Sequence, residues 1–188
     1  MFLGEWFADN AIMYSILEEL PFYSGSERQK MLYTKAGEGG SMLYGTTWKS
    51  HLTYKDGKQI FREYDDETGR YKTKIYSEYP ALKEIFKEFA DYHFPDFEYK
   101  QVQMNKNFPC PPHYDTKNIG ESVLCVFGDF KDGQTCLFNA DTKKIDQYDA
   151  RLSPLKFNGS KILHWVRPTR SAGTRYSLVF FNKTVEDK

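Results

Sequence analysis

Two of the four histidines in this chain stand where a metal ion would use them. His113 and Asp115 are separated by one residue, so alternation along a strand would project both side chains from one face. His164 follows inside an apolar run, Ile162 to Val166. Two imidazoles and one carboxylate form the donor set that holds a non-haem ferrous ion and leaves three coordination positions open. Open positions are what a reaction needs, because a co-substrate takes two and dioxygen one. An H-x-D pair alone is a weak signal, and a histidine on an apolar strand is more often packed core than ligand. Arg175 strengthens the case. It lies one hairpin beyond His164, with Ser177 two residues further on the same strand face. A guanidinium in an apolar pocket binds a carboxylate through its fork of donors, which suits a dicarboxylic acid. Without the two histidines and Asp115, Arg175 would read as a solvated rim residue.

The elements that must position these residues are mostly strands. Ala11 to Leu20 predicts a short amphipathic helix with Ile12, Ile16, Leu17 and Leu20 on one side, ended by Pro21. Ser24 to Lys30 is polar. From Met42 to Tyr76 the pattern is strand-like, with Asp56-Gly57 as a hairpin turn and Asp65 to Gly69 as another. Tyr79 to Tyr92 predicts a second helix carrying Leu82, Ile85, Phe86 and Phe89, with Pro80 in its first turn. Beyond Pro95 the chain is all strands and turns. Phe97 to Gln103, Val123 to Phe127, Thr135 to Phe138, Lys161 to Val166 and Arg175 to Phe181 are separated by Gly, Pro and Asp signals. Short strands so punctuated favour a sandwich, jelly roll or barrel. The expected organisation is one mainly β domain with N-terminal helices (α+β), spanning 1–188. Residues 1–96 form a helical and hairpin support or lid, and 97–182 form the catalytic core.

Composition bounds the rest. The 188 residues carry no net formal charge, yet residues 1–98 hold 12 basic and 17 acidic side chains against 14 and 9 in 99–188. The half with the candidate ligands is therefore net basic, read either as surface variation or as a basic face near the site. Three cysteines without C-x-x-C spacing argue against a disulfide framework or a zinc site and for a reducing compartment. The N-terminus lacks a basic leader, and no apolar run approaches about 20 residues, so a soluble intracellular protein without a membrane span is expected. No G-x-S-x-G, P-loop or G-x-G-x-x-G pattern is present. Gly37 to Gly40 reads as a loop, Asp65 to Glu67 as a solvated turn, and His51 and His93 as structural. The aromatics Tyr44, Trp48, Tyr54 and Phe61 read as core more readily than as a lid over a flat ring. Oligomeric state is not legible.

H-x-D, a distal histidine and R-x-S at this spacing, all between Asn105 and Phe181, resemble the Fe(II)/2-oxoglutarate-dependent dioxygenase superfamily. More narrowly, the stretches 112–118, 124–130, 164–168 and 173–177 resemble the TET/JBP family, whose members oxidise the 5-methyl group of methylcytosine or thymine in DNA. The resemblance implies a double-stranded β-helix (a cupin-like jelly roll), with Fe(II) on His113, Asp115 and His164. It implies 2-oxoglutarate held through its distal carboxylate by Arg175 with Ser177, O2 as oxidant, and ascorbate as a stimulant. It also implies a DNA partner, because Asn118 falls in the frame H-x-D-x-x-N, where that family's Asn contacts the target base. Asn118 ahead of Gly120 also reads as a turn residue. Two departures stand out: Lys131-Asp132-Gly133 replaces a paired glycine, and no Cys-rich zinc segment is present. Two other readings stay open. One is the same chemistry on a protein side chain such as proline, or on a small metabolite. The other is a binding module without chemistry, which would not need all four of His113, Asp115, His164 and Arg175.

Overall fold

A computed structural model describes residues 3–23, 39–55, 58–170 and 173–183. The predicted turn at Asp56-Gly57 and the polar stretch from Ser24 lie outside the described residues, as do the side chains of His51 and Tyr54.

Eight strands form the core: β7 (Gln101–Lys106), β8 (Cys110–His113), β9 (Asn118–Phe127), β10 (Thr135–Asn139), β11 (Lys144–Tyr148), β12 (Leu155–Phe157), β13 (His164–Val166) and β14 (Tyr176–Lys183). They divide into two antiparallel sheets. The larger runs β7-β14-β9-β12 and the smaller β11-β10-β13-β8. Every consecutive pair but β10 and β11 therefore crosses between sheets, and the first strand of the eight lies beside the last. That order is a double-stranded β-helix, the jelly roll expected from the sequence. Leu124, Val126 and Phe157 from the larger sheet meet Leu137 of the smaller, with Phe130, Ala150, Val179 and Ile162 around them. This apolar plug welds the sheets together.

The N-terminal part contributes more than a support. β1 (Gly40–Tyr44) pairs with β7 from Gly40↔Lys106 to Tyr44↔Val102 and extends the larger sheet to five strands. The other N-terminal strands are β2 (Thr46–Thr47), β5 (Tyr64–Asp65) and β6 (Arg70–Lys72) in one small sheet, and β3 (His51–Lys55) with β4 (Lys58–Phe61) in a hairpin. The helices are α1 (Leu3–Glu18), α2 (Lys74–Glu78) and α3 (Leu82–His93). They cover the outer face of the larger sheet, where Trp6, Met13 and Leu17 of α1 and Phe86, Phe89 and Ala90 of α3 join Val102, Met104, Val123, Cys125, Leu178 and Phe180. With both faces covered, Val123 to Phe127 is buried at every position, which is why it reads as a continuous apolar run. Phe180 meets the rings of Phe86, Phe89, Phe94 and Tyr99. A buried phenylalanine in such a cluster contributes about 3–5 kcal/mol relative to alanine.

Several local expectations are corrected. α1 starts eight residues earlier than predicted and ends at Glu18, and its buried side chains are Trp6, Met13 and Leu17, while Ile12 is 62% exposed. Trp6 supplies the large apolar anchor and donates its indole N–H to the Arg151 carbonyl at 2.8 Å, which rotates the helix away from Ile12. α2 replaces the end of the predicted strand region. Tyr44 is core, but Trp48 and Phe61 are exposed, and Trp48 carries the Arg70 guanidinium 4.6 Å above its ring. His93 Nε2 lies 2.9 Å from Asp9 Oδ2, a contact between α3 and α1 that suits a structural role. Among the described residues, no helix is long and apolar enough to cross a membrane.

Candidate active site

The smaller sheet brings the three metal donors together. β13 pairs with β8 so that His164 lies opposite His113, and the ring centroids are 4.3 Å apart. Asp115 does not sit on the strand. β8 ends at His113, and Asp115 lies in the turn that follows, where its N–H donates to the Gly159 carbonyl at 2.9 Å and its own carbonyl accepts from Asn118 N–H at 2.8 Å. A turn, not strand alternation, therefore returns the carboxylate to the histidines. Asp115 Oδ1 lies 3.7 Å from His113 Nε2, and Oδ2 lies 3.5 Å from His164 Nε2. One donor atom from each residue falls within 4.8 Å of the others.

Both imidazoles are oriented alike. Nδ1 of His113 is 2.8 Å from the Pro111 carbonyl, and Nδ1 of His164 is 2.9 Å from that of Ile162. A carbonyl only accepts, so Nδ1 carries the proton in each ring and the Nε2 lone pair faces Asp115. This is how metal-binding histidines are commonly held, with the remote nitrogen fixing tautomer and plane. The Cys110 thiol, hydrogen-bonded to His113, raises that residue's pKa, and burial opposes the shift. His164 is buried and has the Phe157 ring edge-on at 5.0 Å.

Gly159 is a site residue that sequence reasoning missed. A Cβ there would lie 3.0 Å from Asp115 Oδ2 and 3.4 Å from His164 Cε1. Its loop fixes two of the three ligands: Gly159 holds Asp115, and Ile162 holds His164. Asn158 ties the loop together by accepting from the N–H and hydroxyl of Ser160. The signal available in sequence was an Asn-Gly-Ser run a few residues before a candidate ligand.

Arg175 reaches the site differently from the expectation of a hairpin beside His164. It lies one residue before β14, in the larger sheet, whereas His164 opens β13 in the smaller one. The backbone crossing that puts it there needs glycine. Gly128 has φ +120°, and a Cβ on it would collide with the Thr174 carbonyl, while one on Gly173 would collide with that of Asp129. Arg175 is 2% exposed. Its Nε donates to the Gly133 carbonyl at 3.0 Å, and its guanidinium stands 5.9 Å from the Phe130 ring centroid. Nη2 is buried with no hydrogen-bond partner among the described residues. Desolvation pushes the pKa of the group down to about 10. Asp149 acts on this cation through space only, so the cation's unused donor still calls for an acceptor, and a carboxylate supplies both charge and acceptor. The departure at Lys131-Asp132-Gly133 is sterically intelligible, since Asp132 (φ +62°) and Gly133 (φ +69°) are both left-handed and Asp tolerates that region better than most residues.

Ser177 points between the sheets, on the same side as Val179, and its hydroxyl accepts from Asn105 Nδ2 at 3.2 Å. Asn118 closes the turn from Asp115 and opens β9. Its Nδ2 lies 3.4 Å from Asp115 Oδ2 and 3.5 Å from Ser122 Oγ.

No protein-family model and no curated protein matches the chain. Several solved structures resemble it, three of them as follows. "NgTET1 in complex with 5mC DNA" is 17% identical over 90% of this chain and 68% of that one, with a TM-score of 0.47. An oxidoreductase of the 2OG-Fe(II) oxygenase family from Burkholderia pseudomallei is 12% identical over 98% and 91%, at 0.48. A viral collagen prolyl hydroxylase from Paramecium Bursaria Chlorella virus-1, in complex with 2OG, is 9% identical over 95% and 91%, at 0.43. All three scores lie below 0.5, and the fold assignment rests on the strand order itself.

Proposed function

We propose that this protein is an Fe(II)- and 2-oxoglutarate-dependent dioxygenase that hydroxylates a substrate C–H bond, and that the substrate is the 5-methyl group of a pyrimidine in DNA. One observation carries the chemistry: a three-donor site with both Nε2 lone pairs facing a carboxylate, beside a buried arginine with an unused donor. His113, Asp115 and His164 fit a ferrous ion, and an incomplete ligand set suits an ion that must also receive co-substrate and oxygen. Bound there, the ion would couple oxidative decarboxylation of 2-oxoglutarate, to succinate and CO2, to insertion of one oxygen atom into the substrate.

The chain's own residues do the rest. Arg175 takes the distal carboxylate of 2-oxoglutarate, and Ser177 adds a hydroxyl. The apolar interior of Leu124, Val126, Leu137 and Ile162 keeps bulk water away from that contact. Asn118 supports the choice of a base as substrate. Its two amide contacts are both longer than the usual length of about 3 Å, so they can be exchanged for contacts to a base edge. The charge balance of residues 99–188 favours a phosphate-bearing partner. Several acids of the core are already matched, with Asp149 on Arg151, Glu121 on Lys156 and Asp132 on Arg170.

The test incubates the protein with Fe(II), 2-oxoglutarate and ascorbate, and with DNA containing thymine and 5-methylcytosine, peptidyl proline or free metabolites in parallel. Succinate and oxidised products are quantified by mass spectrometry. A 5-hydroxymethylpyrimidine is the expected product, with single-stranded DNA the better substrate because a duplex base must first be extruded. Oxygen gained only by a peptide or metabolite overturns the DNA assignment. No succinate with any substrate overturns the chemistry.

A further inference from the structure

The inner face of the larger sheet carries a row of polar side chains where an apolar core would be simpler. Ser41 on β1, Asn105 on β7 and Ser177 on β14 stand directly opposite one another across three neighbouring strands. Ser41 and Ser177 are buried, as is Gln103, two residues before Asn105 on the same face. Buried polar groups persist only where they are hydrogen-bonded, and these form a single directed chain.

The direction is set at one end by a backbone carbonyl. Gln103 Nε2 lies 2.7 Å from the Met42 carbonyl, so that atom is the nitrogen. It also donates to Ser41 Oγ at 3.0 Å. The Ser41 hydroxyl in turn is 2.7 Å from Asn105 Oδ1, a length typical of O–H···O at about 2.7–2.8 Å. That leaves Asn105 Nδ2 to donate to Ser177 Oγ at 3.2 Å. With the Ser41 hydroxyl donating to Asn105, the Ser177 oxygen already accepts. Among the described residues its own proton meets no acceptor, and it stands two residues from Nη2 of Arg175, which has no partner among them either. Just beyond β7, Asn107 secures Arg175: its Oδ1 accepts from the Arg175 N–H at 2.8 Å, and the Arg175 carbonyl accepts from Asn107 N–H at 2.8 Å.

We propose that Asn105 is a positioning residue, fed by Gln103 and Ser41, that turns the Ser177 hydroxyl into an obligate donor toward the distal carboxylate of the co-substrate. This rests on the co-substrate reading above and deepens it. Asn105 does not touch the ligand. It acts by occupying the acceptor side of Ser177.

Asn105→Asp tests the polarity, because a carboxylate of the same shape accepts from Ser177 and takes its proton from the ligand. The readout is the Kd of 2-oxoglutarate for the Mn(II)-loaded protein by titration calorimetry, with 2-oxobutyrate, which lacks the distal carboxylate, as control. Ser177→Ala is expected to raise Kd for 2-oxoglutarate about ten- to a hundredfold, the loss of one hydrogen bond to a charged group. Asn105→Asp is expected to raise it at least as far in the parent, but far less in the Ser177→Ala background. For 2-oxobutyrate the Asn105→Asp effect is expected to be the same in both backgrounds. Equal factors for 2-oxoglutarate in the two backgrounds overturn the relay. If Asn105→Asp does not fold, Asn105→Ala replaces it: a rise in Kd that vanishes in the Ser177→Ala background supports the relay, and one that persists unchanged overturns it. A parent that binds no 2-oxoglutarate overturns the functional reading as well, whereas a binding parent with equal factors overturns the relay alone.

Discussion

Arg175→Lys separates the carboxylate anchor from the metal site. In the parent, Arg175 Nε is committed to the Gly133 carbonyl, and the buried Nη2 is unused. An ammonium can serve the carbonyl or the ligand but cannot reproduce the fork that serves both. Losing one charge-assisted hydrogen bond costs about 1.5–3 kcal/mol, so KM for 2-oxoglutarate should rise about ten- to a hundredfold. The same loss appears in thermal stability. With ligand at about a hundred times the parent Kd, binding stabilises the parent by about 2.7 kcal/mol. At that concentration the variant gains only about 1.4 kcal/mol if Kd rises tenfold, and about 0.4 kcal/mol if it rises a hundredfold. Each kcal/mol moves Tm by about 2–4 °C in a chain of this size, so the ligand-induced shift should fall from about 5–11 °C to about 1–6 °C. The assay is a thermal melt of the Mn(II)-loaded protein with and without 2-oxoglutarate, alongside succinate-release kinetics. Metal affinity should be nearly unchanged, because Arg175 approaches from the other sheet. An unchanged KM together with an unchanged Tm shift would refute the assignment and move the anchor to another residue.

His113→Ala, Asp115→Ala and His164→Ala should each abolish Fe(II) binding or 2-oxoglutarate turnover; three variants as active as the parent would remove the metal site. Gly159→Ala should lower Mn(II) affinity by about ten- to a hundredfold, as substitutions behind metal ligands do, because its methyl presses on Asp115 and His164. A calorimetric titration reads this, and parent-like affinity would show that Gly159 merely closes a turn. Asn118→Ala should reduce oxidation of a DNA base far more than uncoupled succinate formation, measured on the same samples; equal reductions would confine Asn118 to steadying Asp115.

The candidate site was legible because its proposed chemistry constrains residue type. Few arrangements use two imidazoles, a carboxylate and a guanidinium, and His113, Asp115, His164 and Arg175 could be singled out before their positions were known. Strands with a strong pattern were equally legible, Val123 to Phe127 above all. β11 and β12 were not, because one is a largely polar edge strand and the other only three residues long, so neither carries a full period of alternation. The first turns of α1 were missed for a related reason. Its burial depends on Trp6 meeting Phe89 and His93 of α3, a contact between distant segments that no local window contains.

What the sequence could not disclose is which sheet carries each part of the site. Spacing alone suggested that Arg175 lies beside His164 across a hairpin, but a jelly roll sends consecutive strands to opposite sheets. The candidate metal donors therefore belong to the smaller sheet and its turns, and the proposed carboxylate anchor, Arg175, belongs to the larger. Nothing covalent and local sets the distance between them. It is set by the plug of Leu124, Val126, Phe130, Leu137 and Phe157 between the sheets, and by the glycine crossing of 128 and 173 beside Arg175. A dicarboxylic acid bound to both halves would add a further bridge between the same two sheets. Binding and inter-sheet packing then draw on the same geometry, so a change of side-chain volume in the plug would alter the fit of the co-substrate without touching either of its contacts.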